Sequence, residues 1–387
     1  MSSLQALVRP ELRGQTPYGA PQLDVPVAVN TNESSYAVPQ EVVDQITRDV
    51  TEVAASLNRY PDREFARLRG LLAAYLQRTT GEPVTAEQIW AANGSNEVLQ
   101  HIVQAFGGSG RTALGFTPSY SMHPLISERN GTTWVDGLRD ADPTHFDIDA
   151  DLAVEQTRRH DPAVIFLCSP NNPTGTALDI DVVRRVYDAT DSAIVVVDEA
   201  YTEFARPGTP SAVSLLPGRE RLVVSRTMSK AFAFAGARLG YLAATPEFTD
   251  LLRLVRLPYH LSSVTQAVAC AALEHTDTML AMVEQIKTTR DELVAGCTEL
   301  GLQPVPSDAN FVLVGGFEDA AATWQALLDR GVLVRDVGIP HHLRITAGTP
   351  DENHAVLQAL SAVTTDRGLS RARNEPVSKP SGGDTDD

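Results

Sequence analysis

The sequence predicts an α/β chain, with a mostly parallel central sheet between helices in a large domain and a smaller α+β domain after it. Three observations carry this. The runs Val164–Leu167, Ala193–Val197 and Leu222–Val224 are short and almost wholly apolar, which suits strands buried on both faces. Strand-like and helix-like segments alternate upstream of and between these runs. After Thr265 the texture changes to long amphipathic helices followed by short strands.

Taken in order, residues 1–36 read as an irregular arm, broken by Pro10, Gly14, Pro17, Gly19, Pro21 and Pro26 and without a sustained period. The large domain spans 37–264. It begins with helices over Val42–Leu57 and Glu64–Gln77, the second with apolar Phe65, Leu68, Leu71, Leu72 and Tyr75 at helical spacing. A strand at Ile89–Ala91, a helix at Asn96–Phe106, a strand at Thr112–Phe116 and a helix at Met122–Glu128 follow. Helical segments separate the first two buried runs. The smaller domain, 265–366, takes in part of the arm. Its helices are Val264–Glu274, Met279–Leu300, Ala320–Leu328 and Glu352–Val363, and its strands Asn310–Val314, Val332–Arg335 and Leu343–Thr346. Residues 367–387 are polar and rich in Pro, Gly and Ser, the composition of a disordered tail.

Composition removes several function classes. Of 387 residues 43% are hydrophobic, enough for a large core, yet no apolar run approaches the length of a membrane span. The start, MSSLQALVRPELRG, has no basic start followed by a long apolar block, so no signal peptide is expected. Cys168, Cys270 and Cys297 are scattered and odd in number, with no metal-ligand spacing, so a reducing cytoplasm is the simplest setting. A formal net charge of −17 argues against nucleic acid and anionic membranes as partners, while leaving room for a local basic site that binds a small anion. Lysine is scarce. Any lysine chemistry must use Lys230, Lys287 or Lys379.

The phosphate-loop pattern GxxxxGK[ST], a GxGxxG after a strand and HExxH are all absent, and His341-His342 reads more simply as a surface pair than as metal ligands. What stands out is the chain just beyond each buried run. Val164–Leu167 leads to Ser169-Pro170-Asn171-Asn172-Pro173-Thr174-Gly175; Ala193–Val197 leads to Asp198-Glu199-Ala200-Tyr201; Leu222–Val224 leads to Thr227-Met228-Ser229-Lys230 and on to Arg238. Ligands of open parallel sheets bind outside the carboxyl ends of the strands. Singly, these are a tight turn, a helix cap and a surface lysine. In this order they supply an amine for an aldehyde cofactor, a carboxylate for a protonated pyridine nitrogen, donors for a ring hydroxyl and groups to anchor a phosphate.

The set N-P-T-G, D-E-A-Y and S-K-x-F, with Arg238 eight residues after Lys230, resembles the fold-type I pyridoxal-phosphate-dependent aminotransferases over about residues 5–366. The resemblance implies pyridoxal 5'-phosphate as cofactor, with Lys230 as the lysine that holds it. It implies Asn172 and Tyr201 at the ring hydroxyl, Asp198 at the pyridine nitrogen, and Thr227, Ser229 and Arg238 at the phosphate. Asn93-Gly94-Ser95-Asn96 lies between a strand and a helix start, where backbone N–H groups favour an anion. In the family, positions matching Ser95 and Asn96 contact the phosphate, and the one matching Tyr120 stacks on the ring.

Within that superfamily the chain is most similar to the histidinol-phosphate aminotransferases, through Leu12-Arg13-Gly14 with Thr16-Pro17-Tyr18, Arg59-Tyr60-Pro61-Asp62, Ser307-Asp308-Ala309-Asn310-Phe311, Val334-Arg335-Asp336 and Leu343-Arg344-Ile345-Thr346. By that likeness Tyr60 reaches the cofactor phosphate of a neighbouring subunit, which implies a homodimer with shared sites. Arg344 takes an α-carboxylate, and Tyr18, Asn310 and Arg335 lie near the substrate, Arg335 at its distal anion. The implied reaction is ping-pong transamination between L-histidinol phosphate and 2-oxoglutarate, giving imidazole-acetol phosphate and L-glutamate. One departure concerns Asn32-Glu33-Ser34-Ser35, where the family often reads Asn-Glu-Asn-Pro along the substrate entrance. Alternatives remain at this level: an aromatic-amino-acid aminotransferase, a decarboxylase acting on a threonine phosphate, or a non-catalytic cofactor-binding regulator.

Overall fold

The computed structural model describes residues 3–9, 12–14, 17, 19–142 and 146–374, with side chains described as far as 364. In chain order the elements are α1 (Ser3–Leu7), β1 (Val27–Ala28), α2 (Gln40–Ala54), α3 (Ala66–Thr80), β2 (Ile89–Ala92), α4 (Ser95–Phe106), β3 (Thr112–Thr117), α5 (Met122–Arg129), β4 (Thr133–Leu138), α6 (Ala150–His160), β5 (Val164–Cys168), α7 (Ile180–Asp188), β6 (Ile194–Asp198), β7 (Leu222–Thr227), β8 (Gly240–Ala243), α8 (Pro246–Leu252), α9 (Ser263–Glu274), α10 (Thr276–Glu299), β9 (Gln303–Pro304), β10 (Phe311–Gly315), α11 (Ala320–Leu328), β11 (Val332–Leu333), β12 (Leu343–Thr346) and α12 (Pro350–Asn374).

Seven strands form the large sheet in the order β2-β8-β7-β6-β5-β3-β4. Strand β8 runs antiparallel to both its neighbours, and the other pairs are parallel. The three apolar runs are its adjacent central strands β5, β6 and β7, buried along their whole length. Their register sets Cys168 beside Asp198 and Asp198 beside Ser225. The carboxyl ends of all three therefore open at one edge of the sheet, where the polar residues of the sequence motifs follow.

A three-stranded antiparallel sheet, β12-β10-β9, and the parallel pair β1-β11 make the smaller unit. Pairing of β1 with β11, extended by Val29 N–H donating to Leu333 O at 2.9 Å, ties the arm into it. The two apolar cores divide within α10, not at 264. Met279, Met282, Val283 and Ile286 belong to the large core, Leu293 and Cys297 to the small one. Helix α9 packs on α2 and α3, which keeps it and the first half of α10 with the large sheet.

Helix α1 and strand β1, within the arm read as irregular, and also strand β4, helix α6, strand β8, helix α8 and the two-residue strand β9, were not expected from the sequence. Strand β4 is the sheet edge, with half its residues exposed, and contains Gly137, so it shows no apolar run. Helix α12 continues to Asn374, eight residues into the expected tail; Arg367 to Asn374 contains no proline, and Pro376 comes only afterwards. The rest of that tail lies outside the described residues. No helix among the described residues is long and apolar enough to cross a membrane.

Candidate active site

Two adjoining cavities open at the carboxyl edge of β5, β6 and β7, of about 210 and 390 Å³. Tyr120, Asn172, Tyr201 and Lys230 line both. The smaller cavity brings together Ser95, Asn96, Tyr120, Asn172, Asp198, Tyr201, Thr227, Ser229, Lys230 and Arg238, residues drawn from six separate segments of the chain. The larger adds Arg335 and Arg344 from the small unit and residues Asn30 to Asn32 of the arm.

Each side chain is placed by a local cause. Asp198 ends β6, buried to 1% exposure, and its Oδ2 pairs with His123 Nε2 at 3.1 Å. His123 is in turn stacked on Phe166 of β5, 4.6 Å between ring centroids. Asp198 Oδ1 is buried with no hydrogen-bond partner among the described residues. An unmatched carboxylate oxygen is costly in a dry site, and a protonated ring nitrogen is the kind of donor that would satisfy it.

Helices α6, α7, α8, α9 and α11 are capped by the side chains of Asp149, Asp179, Thr245, Ser262 and Asp319. Helix α4 has no such cap. Its N-cap is Gly94 at φ 81°, and Ser95 and Asn96 open it at the cavity wall. A Cβ on Gly94 would overlap the Arg238 guanidinium, and one on Gly240 would overlap the backbone of Gly94 and Ser95. The two glycines thus let Arg238, itself in the left-handed region at φ 58°, close against an uncapped helix start. Thr227 Oγ1 donates to Ser229 Oγ at 3.0 Å and accepts from the Ser229 N–H at 3.1 Å, which turns the chain tightly after β7. The cluster of hydroxyls, helix N–H groups and an arginine suits a phosphate.

Lys230 Nζ donates to Thr31 O at 3.2 Å. Burial lowers its pKa from 10.5 to about 8, helped by the positive charges of Arg344 and Arg238 and opposed by Glu33. Burial also pushes the Tyr201 hydroxyl up to about 12, against the pull of Arg344 and of a hydrogen bond with Asn32. Arg344 Nη1 donates to Asn172 Oδ1 at 2.6 Å and Nη2 to Asn30 O at 2.7 Å, and its guanidinium lies over Phe311. Tyr120 Oη donates to Asn96 Oδ1 at 3.1 Å. The orphaned Asp198 oxygen, the amine, the uncapped helix and the Tyr120 ring in the cavity wall together fit pyridoxal 5'-phosphate.

Two predicted residues lie apart from the cavity walls, and a third is not described. Tyr60 is 79% exposed and stacks on Tyr259, away from the cavity. Asn310 is buried behind the arm, donating from Nδ2 to Asn32 O at 3.1 Å. Tyr18 lies outside the described residues. The sequence reading missed His123, whose segment was read only as a helix, and the linings Cys168 and Ala200, which carry no motif signal beyond their adjacency to one. Asn32 and Glu33 were noticed only as part of the stretch that departs from the family's pattern.

The family described as aminotransferase class I and II matches residues 25–360. A histidinol-phosphate aminotransferase of Paenarthrobacter aurescens is 58% identical over 358 residues, covering 92% of this chain and 94% of that protein. One of Thermobifida fusca is 55% identical over 357 residues, covering 92% and 95%. Among solved structures, histidinol-phosphate aminotransferase from Sinorhizobium meliloti in complex with pyridoxal-5'-phosphate has a TM-score of 0.78 at 24% identity, over 89% of this chain and 92% of that one. The enzyme from Clostridium acetobutylicum has a TM-score of 0.77 at 21% identity, over 88% and 99%. At such identities these two structures bear on the fold, which is the α/β fold expected.

Proposed function

The chain belongs to the class I and II aminotransferase family, and on that premise we propose that it transfers the amino group between L-histidinol phosphate and 2-oxoglutarate, forming imidazole-acetol phosphate and L-glutamate in histidine biosynthesis. The observation that carries this reading is the 58% identity to a protein of that name over nearly the full length of both chains. The site has the chemistry the reaction needs. Pyridoxal 5'-phosphate, when bound, supplies an aldehyde for the donor's amine and a ring that accepts the electrons released at Cα. Asn172, Asp198, Tyr201 and Lys230 would hold its ring end, with Tyr120 against the face. Ser95, Asn96, Thr227, Ser229 and Arg238 would hold its phosphate.

Lys230, with its pKa lowered to about 8, is partly neutral near physiological pH and serves as both nucleophile and base. Its Nζ takes the Cα proton of the amino donor. Asp198 keeps a positive charge on the ring nitrogen favourable, and His123 holds the carboxylate in place. Arg344 presents a planar fork to the α-carboxylate of glutamate or 2-oxoglutarate. Arg335, in the wall of the larger cavity, meets the distal anion, which is the phosphate in one substrate and the second carboxylate in the other. Asn310, held against the arm, and Tyr18 complete the substrate side.

The reading includes a homodimer acting in the cytoplasm. Tyr60 and Tyr259 stack on each other, and Leu57, Leu254 and Leu257, close to them in the sequence, are also exposed apolar side chains. A second copy covering these side chains would receive Tyr60 at its own cofactor phosphate. Steady-state rates test the function: L-histidinol phosphate and 2-oxoglutarate should give parallel double-reciprocal lines, because they use one site in turn. Intersecting lines, or no glutamate formed, would refute it.

A further inference from the structure

Three consecutive carbonyls of the arm are each taken by a candidate site residue. Arg344 Nη2 donates to Asn30 O at 2.7 Å, Lys230 Nζ to Thr31 O at 3.2 Å and Asn310 Nδ2 to Asn32 O at 3.1 Å. The last of the three, Asn32, is 1% exposed and has φ 56°, a left-handed conformation that asparagine tolerates better than most side chains.

The Asn32 side chain is fixed in one orientation. Thr346 Oγ1 accepts from the Asn32 N–H at 3.1 Å and donates its proton to Asn32 Oδ1 at 3.1 Å. That leaves Asn32 Nδ2 to donate to Tyr201 Oη at 3.0 Å. Asn172 is fixed by a stricter argument. A guanidinium has no acceptor, so Arg344 Nη1 must face Asn172 Oδ1, leaving Asn172 Nδ2 to donate to Tyr201 Oη at 3.3 Å. With two amide donors aimed at it, the phenol oxygen is occupied as an acceptor. Its single proton must point elsewhere, and Tyr201 lines both cavities.

We propose that Asn32 is a positioning residue which, with Asn172, aims the Tyr201 hydroxyl proton into the cavity, at the ring oxygen of the bound cofactor. This rests on the cofactor reading above. A hydrogen bond to an ionised ring oxygen stabilises that anion and weakens its hold on a proton shared with the adjacent nitrogen. The arm thereby sets the electronic state of the site from outside the sheet that builds it.

The test is spectroscopic and uses the full-length protein loaded with pyridoxal 5'-phosphate, titrating the pH midpoint of its visible band. Asn32→Asp keeps the shape and tolerates the backbone angle but removes both amide hydrogens, so the carboxylate accepts the Tyr201 proton and turns it away from the ring. The midpoint should rise by about one pH unit, the size of one lost hydrogen bond to a charged group. Tyr201→Phe should raise it similarly, and adding Asn32→Asp to Tyr201→Phe should produce less than half of that further rise, the part due to the new charge alone, since an effect that bypasses Tyr201 would add in full. Asn32→Gly is the second variant: glycine takes the left-handed angle without cost, so the fold is kept. It should give a smaller rise that vanishes in the Tyr201→Phe background, since glycine adds no charge. If Asn32→Asp does not fold, Asn32→Gly decides by the same comparison. Unchanged midpoints, or rises of full size in the Tyr201→Phe background, would overturn the proposal. If the wild type forms no visible band with the cofactor, the cofactor reading itself fails, and the proposal with it.

Discussion

The lowered pKa of Lys230 has a consequence for stability that can be measured without any substrate. In the cofactor-free protein the folded chain releases this proton near pH 8, whereas the unfolded chain holds it up to the ordinary value of 10.5. Between those values the unfolded state binds more protons, so the lysine's contribution to stability rises with pH; below about 8 the full penalty of burying a charge is present. The shift corresponds to about 3 kcal/mol near pH 7 and about 1 kcal/mol near pH 10. Lys230→Met keeps most of the volume and removes the charge, at the loss of the 3.2 Å bond to Thr31 O, which returns about 1 kcal/mol. The cofactor-free variant should therefore be about 2 kcal/mol more stable than cofactor-free wild type near pH 7, with the advantage gone near pH 10. Urea unfolding of both proteins at the two pH values, at one protein concentration, measures this. A stability difference that does not change with pH would refute the argument that a buried charge, shifted by burial and by Arg344, sits at this position.

Other expectations follow from the same geometry. Arg344→Lys replaces a planar fork by a point charge, and losing a bidentate carboxylate pair of about 1.5–3 kcal/mol should raise KM for 2-oxoglutarate about 10- to 150-fold. The half-reaction with L-histidinol phosphate, which has no α-carboxylate, should be less affected; an equal loss in both would point to collapse of the Asn172 and Asn30 contacts instead. Gly94→Ala forces a Cβ into the Arg238 guanidinium at φ 81°, and the dissociation constant for pyridoxal 5'-phosphate should rise at least about tenfold by equilibrium dialysis. Mixing inactive Lys230→Ala with a disabled Tyr60→Ala should restore activity, because a hybrid dimer has one site with both residues intact; no recovery on subunit exchange would remove Tyr60 from a shared site.

Burial on both faces made β5, β6 and β7 legible, whereas β8, buried as fully, is only four residues opening on Gly240 and shows no apolar run that stands out. Strands β5, β6 and β7 are buried on both faces and so carry apolar runs, and within five residues of each run stands a candidate site residue: Asn172, Asp198 and Thr227. Strand β4, with half its residues exposed and only Gly137 buried, has no such signature. The boundary between the two cores was misplaced because α10 is a single helix serving both, and periodicity alone does not say against what a helix face packs. Ten of the fourteen residues that line the smaller cavity were named because they sit in or just after motifs that follow strands. His123 and Asn32 were not given roles because theirs come from partners distant in sequence: a carboxylate 75 residues away for the first, and a phenol 169 residues away for the second. Nothing local to either residue records those pairings.

The central claim is that this site transaminates L-histidinol phosphate. It is tested most directly by a half-reaction: the protein loaded with pyridoxal 5'-phosphate is mixed separately with L-histidinol phosphate and with L-phenylalanine, without a keto acid, and loss of the visible cofactor band is followed. Fast loss with L-histidinol phosphate and slow loss with L-phenylalanine is the result this account predicts. Comparable or faster loss with L-phenylalanine would contradict it, make the enzyme an aromatic-amino-acid aminotransferase and leave Arg335 without the anion assigned to it.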